Sequence, residues 1–230
     1  MPTVKEITTY KFSELSDKAK EKARDWYRDG ALDHDWWDAV YDDALSVAVR
    51  LGIEITSKAK PPGERAPAIY FSGFCQQGSG ACFEGYWRHK EKPHRTSPDA
   101  IFRKKVLNTN ERYTSFEEAI KDYAPNDEEL NKIAKELDTY TNYACGIRQD
   151  GNYSHEHTMQ FTHYVTNEHG DDDDTDENDT TSQVEETLRD FARWIYSRLE
   201  QEHDYLLSDE VVDESIAANE YEFDEDGDRV

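Results

Sequence analysis

The amino-acid sequence predicts an α+β fold: an antiparallel sheet built from two hairpins, packed against several amphipathic helices. Three patterns predict it. Asp150-Gly151 separates two runs of alternating apolar and polar residues within Ala144–Val165, and Asp-Gly suits a two-residue hairpin turn. Such a turn sets Gln149 opposite Asn152. Two further apolar runs between Ala68 and Trp87 flank Gln76-Gln77-Gly78-Ser79-Gly80, a second hairpin with a flexible tip. Elsewhere apolar residues recur every three or four positions, the spacing of a helix with one face on a core.

In chain order, Ile7–Phe12 predicts a short strand. Ser13 or Ser16 then caps a helix that Gly30 ends, with Leu15, Ala19, Ala23, Trp26 and Tyr27 on one side. A second helix runs from about Asp35 to Leu51, stopped by Gly52. The neighbours Trp36 and Trp37 cannot share its face, so one belongs to the core and the other to a rim. Ile53–Thr56 alternates as a strand, and Lys58–Pro67 reads as a basic, proline-containing loop. Gly73 and Gly85 fall inside predicted strands, where glycine marks a bulge or a close approach. Arg88–Arg112 is basic and loop-like. Ser115 with Glu118, and Asn126 with Glu129, form capping boxes for two short helices. Residues 167–181 contain no apolar side chain and predict a solvated acidic loop with few contacts to the core. Ser182 with Glu185 caps a long helix, with Val184, Leu188, Phe191, Ile195 and Leu199 facing inward. Ser208 caps another, with Val212 and Ile216 inward, and Tyr221–Phe223 predicts a last strand. The expected organisation is an α+β core over 1–166, the acidic loop over 167–181, and an acidic helical part over 182–230 packed on the core.

Composition narrows the function. Of 230 residues 36% are hydrophobic, yet fourteen Tyr and five Trp can fill a core. The start of the chain has no signal-peptide pattern and no run has transmembrane length, so a cytoplasmic protein is expected. The three cysteines (Cys75, Cys82, Cys145) lack metal-knuckle spacing and suit small buried residues of a reducing compartment. Net charge is −24, and residues 166–230 hold 24 acidic side chains against four Arg, leaving 27 acidic against 23 basic for the rest. That end repels nucleic acid and anionic membrane, and a protein with a basic surface is its natural partner.

Few residues carry recognisable chemistry. His155 and His157 at i, i+2 of a strand face the same way and can bring two nitrogens to one metal. His163 lies about 20 Å further along an extended strand, so a third ligand has to come from His89, His94 or Glu84. With no complete ligand set in view, the histidines are expected to be hydrogen-bonded core or rim residues, with no metal and no cofactor. Gly78-Ser79-Gly80 lacks the Lys-Ser/Thr and following helix of a phosphate loop. Cys75 and Cys82 flank that tip as buried packing. No nucleophile elbow and no Gly-centred calcium loop are present, and no catalytic residue is expected.

Three stretches, YFSGFCQQGSGACFEGYW (Tyr70–Trp87), GNYSHEHTM (Gly151–Met159) and NEYEFDEDG (Asn219–Gly227), resemble a family of small phage and plasmid proteins often labelled antitoxin of a toxin–antitoxin stability system. The acidic insertion at Asp171–Asp179 departs from that pattern. The resemblance implies a mobile-element setting inside a bacterial cell. Together with the charge, it leads to the expectation of a non-enzymatic, anti-CRISPR-like anti-defence protein. Such a protein binds a host nucleic-acid-handling complex as an acidic DNA mimic. The carboxylates expected to do so are Glu185, Glu186, Asp190, Glu200, Glu202, Asp209, Glu210, Asp213 and Glu214. Neutralising a cognate toxin is the alternative, and a metal-dependent enzyme built on His155 and His157 is the second.

Overall fold

A computed structural model describes residues 8–60, 63–74, 76–89, 113–141, 143–151, 153–165 and 177–230. Cys75, His94, the expected turn residue Asn152, most of the basic stretch 88–112 and the acidic residues 166–176 lie outside them. The elements run β1 (Tyr10–Lys11), α1 (Asp17–Ala31), α2 (Asp38–Arg50), β2 (Ile53–Ile55), β3 (Ser57–Lys60), β4 (Glu64–Pro67), β5 (Ile69–Ser72), β6 (Gly80–Phe83), β7 (Gly85–Arg88), α3 (Phe116–Tyr123), α4 (Glu128–Leu137), β8 (Tyr143–Gln149), β9 (Met159–Val165), α5 (Glu177–Leu206), α6 (Asp209–Ala218) and β10 (Glu222–Phe223). The fold is α+β, and every strand pairing among the described residues is antiparallel. No helix among the described residues is long and apolar enough to cross a membrane.

The chain divides into two units, Met1–Asp38 with Leu199–Val230, and Ala39–Arg198. This differs from the expected organisation, because the two ends of the chain share a unit. In the smaller unit Ser16 caps α1, accepting from Ala19 N at 3.3 Å, and Ser208 caps α6. The apolar faces of both helices then bury Leu15, Ala19, Ala23, Val212 and Ile216 around Phe12 and Phe223. Trp26 meets Tyr221 and Phe223 edge-on at 5.2 and 5.7 Å, and β1 pairs with β10. Trp36 is buried and Trp37 half-exposed, as the sequence predicts.

The larger unit is built on a four-stranded sheet ordered β2-β7-β8-β9. Its inner face carries the buried Ile53, Trp87, Cys145, Ile147 and Met159, while Gln160, Thr162 and Tyr164 of β9 are exposed. On α5, Val184, Leu188, Phe191 and Ile195 are all buried, and Phe191 meets Phe83 edge-on at 5.5 Å. A side chain at Gly85 would place its Cβ 2.2 Å from Glu54 O, which is the close approach expected there.

Several local expectations are corrected. Lys58–Pro67 is a hairpin of β3 and β4 rather than a loop. The ladder continues beyond it, as Ala68 N donates to Thr56 O at 2.8 Å, and Gly63 turns the chain at a φ of +126°. Asp127, not Asn126, caps α4, because its carboxylate reaches Leu130 N at 3.0 Å. Ser182 does not begin α5, which already runs from Glu177. The stretch 167–181 is therefore not wholly a detached loop: Thr181 Oγ1 lies 2.8 Å from the hydroxyl of Tyr143.

The largest correction concerns Asp150-Gly151. Gln149 pairs with Met159, so residues 150–158 form the connection and the strand begins only at Met159. His155 and His157 consequently do not stand on a sheet face.

Candidate functional site

The connection folds on itself because its polar side chains bond to its own backbone. Thr158 Oγ1 lies 2.7 Å from His155 O and 3.0 Å from Tyr153 O, and Asp150 N donates to Thr158 O at 2.9 Å. Such local bonds compete with strand pairing. The result is a single 3-10 turn at Glu156–Thr158 with His155 at its start.

This turn brings together three consecutive residues that a strand would separate. One nitrogen from each of His155 and His157 and one Glu156 oxygen lie within 4.8 Å of one another. The two imidazoles stack with centroids 5.0 Å apart. His155 Nδ1 accepts from His157 N at 3.2 Å, and it also stands 2.9 Å from Glu156 Oε2. Glu156 is buried despite its charge, and its other oxygen faces Arg193 of α5 at 3.7 Å. Arg193 is itself held by Glu186 at 2.5 Å and by Asp190.

The β5–β6 hairpin supports the turn. Ser72 Oγ donates to Ser154 O at 3.0 Å. Opposite Ser72 in the ladder is Gly80, where an added Cβ would stand 2.8 Å from His155 Cδ2 and 3.1 Å from Glu156 Oε2. The turn thus occupies the space that a side chain at this position would take.

Cys82, two residues along the same face, is buried, and burial pushes its thiol up to about 11 despite bonds from Thr158 and the His155 backbone. Burial likewise pushes Cys145 up to about 12, so neither is a thiolate nucleophile near neutral pH. Lys58 Nζ donates to Ile69 O at 2.8 Å and sits 3.7 Å from the centre of the Tyr70 ring. Burial holds its pKa below the usual lysine range.

The third-ligand candidates have other work. Glu84 accepts from the Tyr70 hydroxyl and from Gln149 N, both at 3.3 Å, and the His89 ring meets Phe116 edge-on. His163 joins sheet to helix: Nδ1 is 2.9 Å from the Tyr143 hydroxyl and Nε2 is 2.8 Å from Glu185 Oε1.

The nine acidic residues expected to meet a partner divide into two sets. Glu185 bonds His163 and Arg189, Glu186 and Asp190 bond Arg193, Asp209 bonds Arg28, and Asp213 bonds Arg24. These are tied into the fold. Glu200, Glu202, Glu210 and Glu214 make no ion pair among the described residues. Glu156 and Arg193 also belong to the histidine site, though neither is among the residues the sequence singles out. Glu156 stands between two candidate ligands, and a non-strand conformation of HEH was the reading that would have included it. Arg193, at i+3 from Asp190 and i+7 from Glu186, was legible as the basic member of a helix-face cluster.

The profile of a domain of unknown function, DUF8835, matches residues 36–209, and the chain belongs to that family. No curated protein and no solved structure matches the chain.

Proposed function

We propose that the protein works by binding: its smaller unit occupies a basic groove on a nucleic-acid-handling protein of a bacterial host and inhibits it as an acidic DNA mimic. One observation carries this reading. The unit of Met1–Asp38 and Leu199–Val230 holds 22 Asp and Glu against 8 Lys and Arg, a net −14 of the chain's −24. Of these carboxylates, Glu210, Glu214, Glu220, Glu222 and Glu225 are exposed and make no ion pair among the described residues. Carboxylates held on a fixed frame keep a potential that mobile ones average away, and a row of them steers a basic surface as phosphates do.

The test uses the full chain as bait in bacterial lysate, followed by binding of the purified captured protein at low and high salt. Mimicry predicts that raising salt from roughly 50 to roughly 300 mM weakens binding by at least about tenfold, as screening shortens the reach of exposed charges. It also predicts that DNA competes for the same surface. Salt-independent binding, or binding that DNA leaves unchanged, rejects the reading.

A further inference from the structure

Three donor atoms from consecutive residues rarely meet, because in a strand the middle side chain points to the opposite face. The turn at Glu156–Thr158 removes that obstacle for His155, Glu156 and His157. Tetrahedral zinc, with bonds of about 2.0–2.1 Å, needs donors roughly 3.4 Å apart. His155 Nδ1 and Glu156 Oε2 are already 2.9 Å apart, and a ring nitrogen of the exposed His157 lies within 4.8 Å of the other two ligand atoms.

Two further observations point to a cation at this spot. His155 Nδ1 faces both a backbone N–H, from His157, and a carboxylate oxygen. Nδ1 has one in-plane lone pair, which His157 N–H now takes, and Glu156 Oε2 stands 2.9 Å away with lone pairs of its own. A metal ion between nitrogen and oxygen uses a lone pair of each, and the bond from His157 N then gives way. Second, Glu156 is a buried carboxylate whose partner Arg193 stands back at 3.7 Å, drawn to Glu186 and Asp190. One oxygen is thereby oriented, and the other is left facing the imidazoles.

We propose that His155, Glu156 and His157 form a binding site for one divalent first-row transition ion of the zinc class, with water in the remaining positions. Two imidazoles and one carboxylate suit such ions, whereas calcium and magnesium prefer oxygen donors. The ion ties the side chains of three consecutive residues together where the turn packs beside Gly80 of β6. The site belongs to the larger unit and is independent of the acidic surface of the smaller one.

The test is titration of the chelator-stripped full chain with zinc by calorimetry and with cobalt by visible absorption. One ion per chain is expected. H157A, which alters an exposed side chain, and H155A should each lower affinity at least about tenfold, and E156Q should lower it as well. H163A, which removes an imidazole outside the turn, should leave it unchanged. Circular dichroism of each variant confirms folding, and H157A keeps the test valid should H155A misfold. A one-to-one phase that survives H155A/H157A overturns the proposal. So does the absence of any such phase in the unaltered chain, with only weak binding to scattered carboxylates.

Discussion

Arg24 holds Asp213 at two points, Nε to Oδ1 at 2.6 Å and a second guanidinium nitrogen to Oδ2 at 2.7 Å. The pair ties α1 to α6 beside the buried Ala23, Val212 and Ile216. Arg24 is largely covered, with 17% of its side chain exposed, and it also reaches Glu21 at 2.9 Å. A two-point, partly covered pair exceeds the usual exposed ion pair. Truncating either partner should lower the unfolding midpoint. A double-mutant cycle on Arg24→Ala and Asp213→Ala should give a coupling of about 1 kcal/mol that shrinks in high salt. Additive single effects would show that the contact contributes nothing.

Asp127 gives the fold a dependence on acid. Burial alone would raise its pKa, but Leu130 N, Trp194 and Arg198 all donate to it and together hold the carboxyl below its ordinary value. The unfolded chain therefore binds this proton more tightly than the folded one. The stabilisation is complete above the ordinary value of about 3.9 and is lost as pH falls through the depressed folded value. Asp127→Asn keeps a cap oxygen for Leu130 N but removes the charge that Trp194 and Arg198 donate to, and should cost about 1–2 kcal/mol at neutral pH. The gap between variant and parent unfolding midpoints should narrow below about pH 4. A gap of constant size down to pH 2 would contradict the assignment.

Two glycines separate steric from conformational demands. At Gly85 a Cβ would strike the Glu54 backbone at 2.2 Å, and neither strand can yield without breaking the sheet. Gly85→Ala should cost about 3 kcal/mol. Gly63 has open space around it and a φ of +126°, so Gly63→Ala should cost less, about 1–2 kcal/mol, from backbone strain alone. Equal losses in chemical denaturation would refute this distinction.

The helices were legible because burial imposes a period. Val184, Leu188, Phe191, Ile195 and Leu199 were read as one face, and all are buried. Ser115 and Ser208 are legible as caps, and Ser16 as one of two candidates with Ser13, because their short hydroxyls bond the free N–H groups. The histidine turn is hidden in the sequence for a specific reason. Tyr153, His155, His157, Met159 and Phe161 keep the parity of a strand, and only the last two lie on one. Parity does not record the bonds from Thr158 to the backbone of Tyr153 and His155, which close the chain before pairing starts. The acidic helix faces were visible, but not the division of labour within them. Arg24 pairs with Asp213 across 189 residues, a distance over which a single sequence carries no signal.

That division makes the binding hypothesis sharper than a count of charges. Asp209 and Asp213 are engaged by Arg28 and Arg24, so neutralising them should destabilise the smaller unit and remove little of what a partner can reach. Glu210 and Glu214 alternate with them on α6, are exposed, and lie outward of Val212 and Ile216. Glu220 and Glu222 extend the same acidic run toward β10. Replacing Glu210, Glu214, Glu220 and Glu222 by Gln should change stability by less than about 1 kcal/mol, as for surface positions without buried partners. The same four changes should weaken binding to a basic partner by roughly tenfold or more, mainly by slowing association, because steering acts on the encounter. Asp209→Asn with Asp213→Asn should show the reverse: a lowered unfolding midpoint and a nearly unchanged association rate once folded. Stopped-flow association measured beside thermal unfolding reads both quantities on the same samples. If the four-fold Gln variant associates as fast as the parent, the exposed carboxylates of this unit are not the contact, and the DNA-mimic reading falls with them.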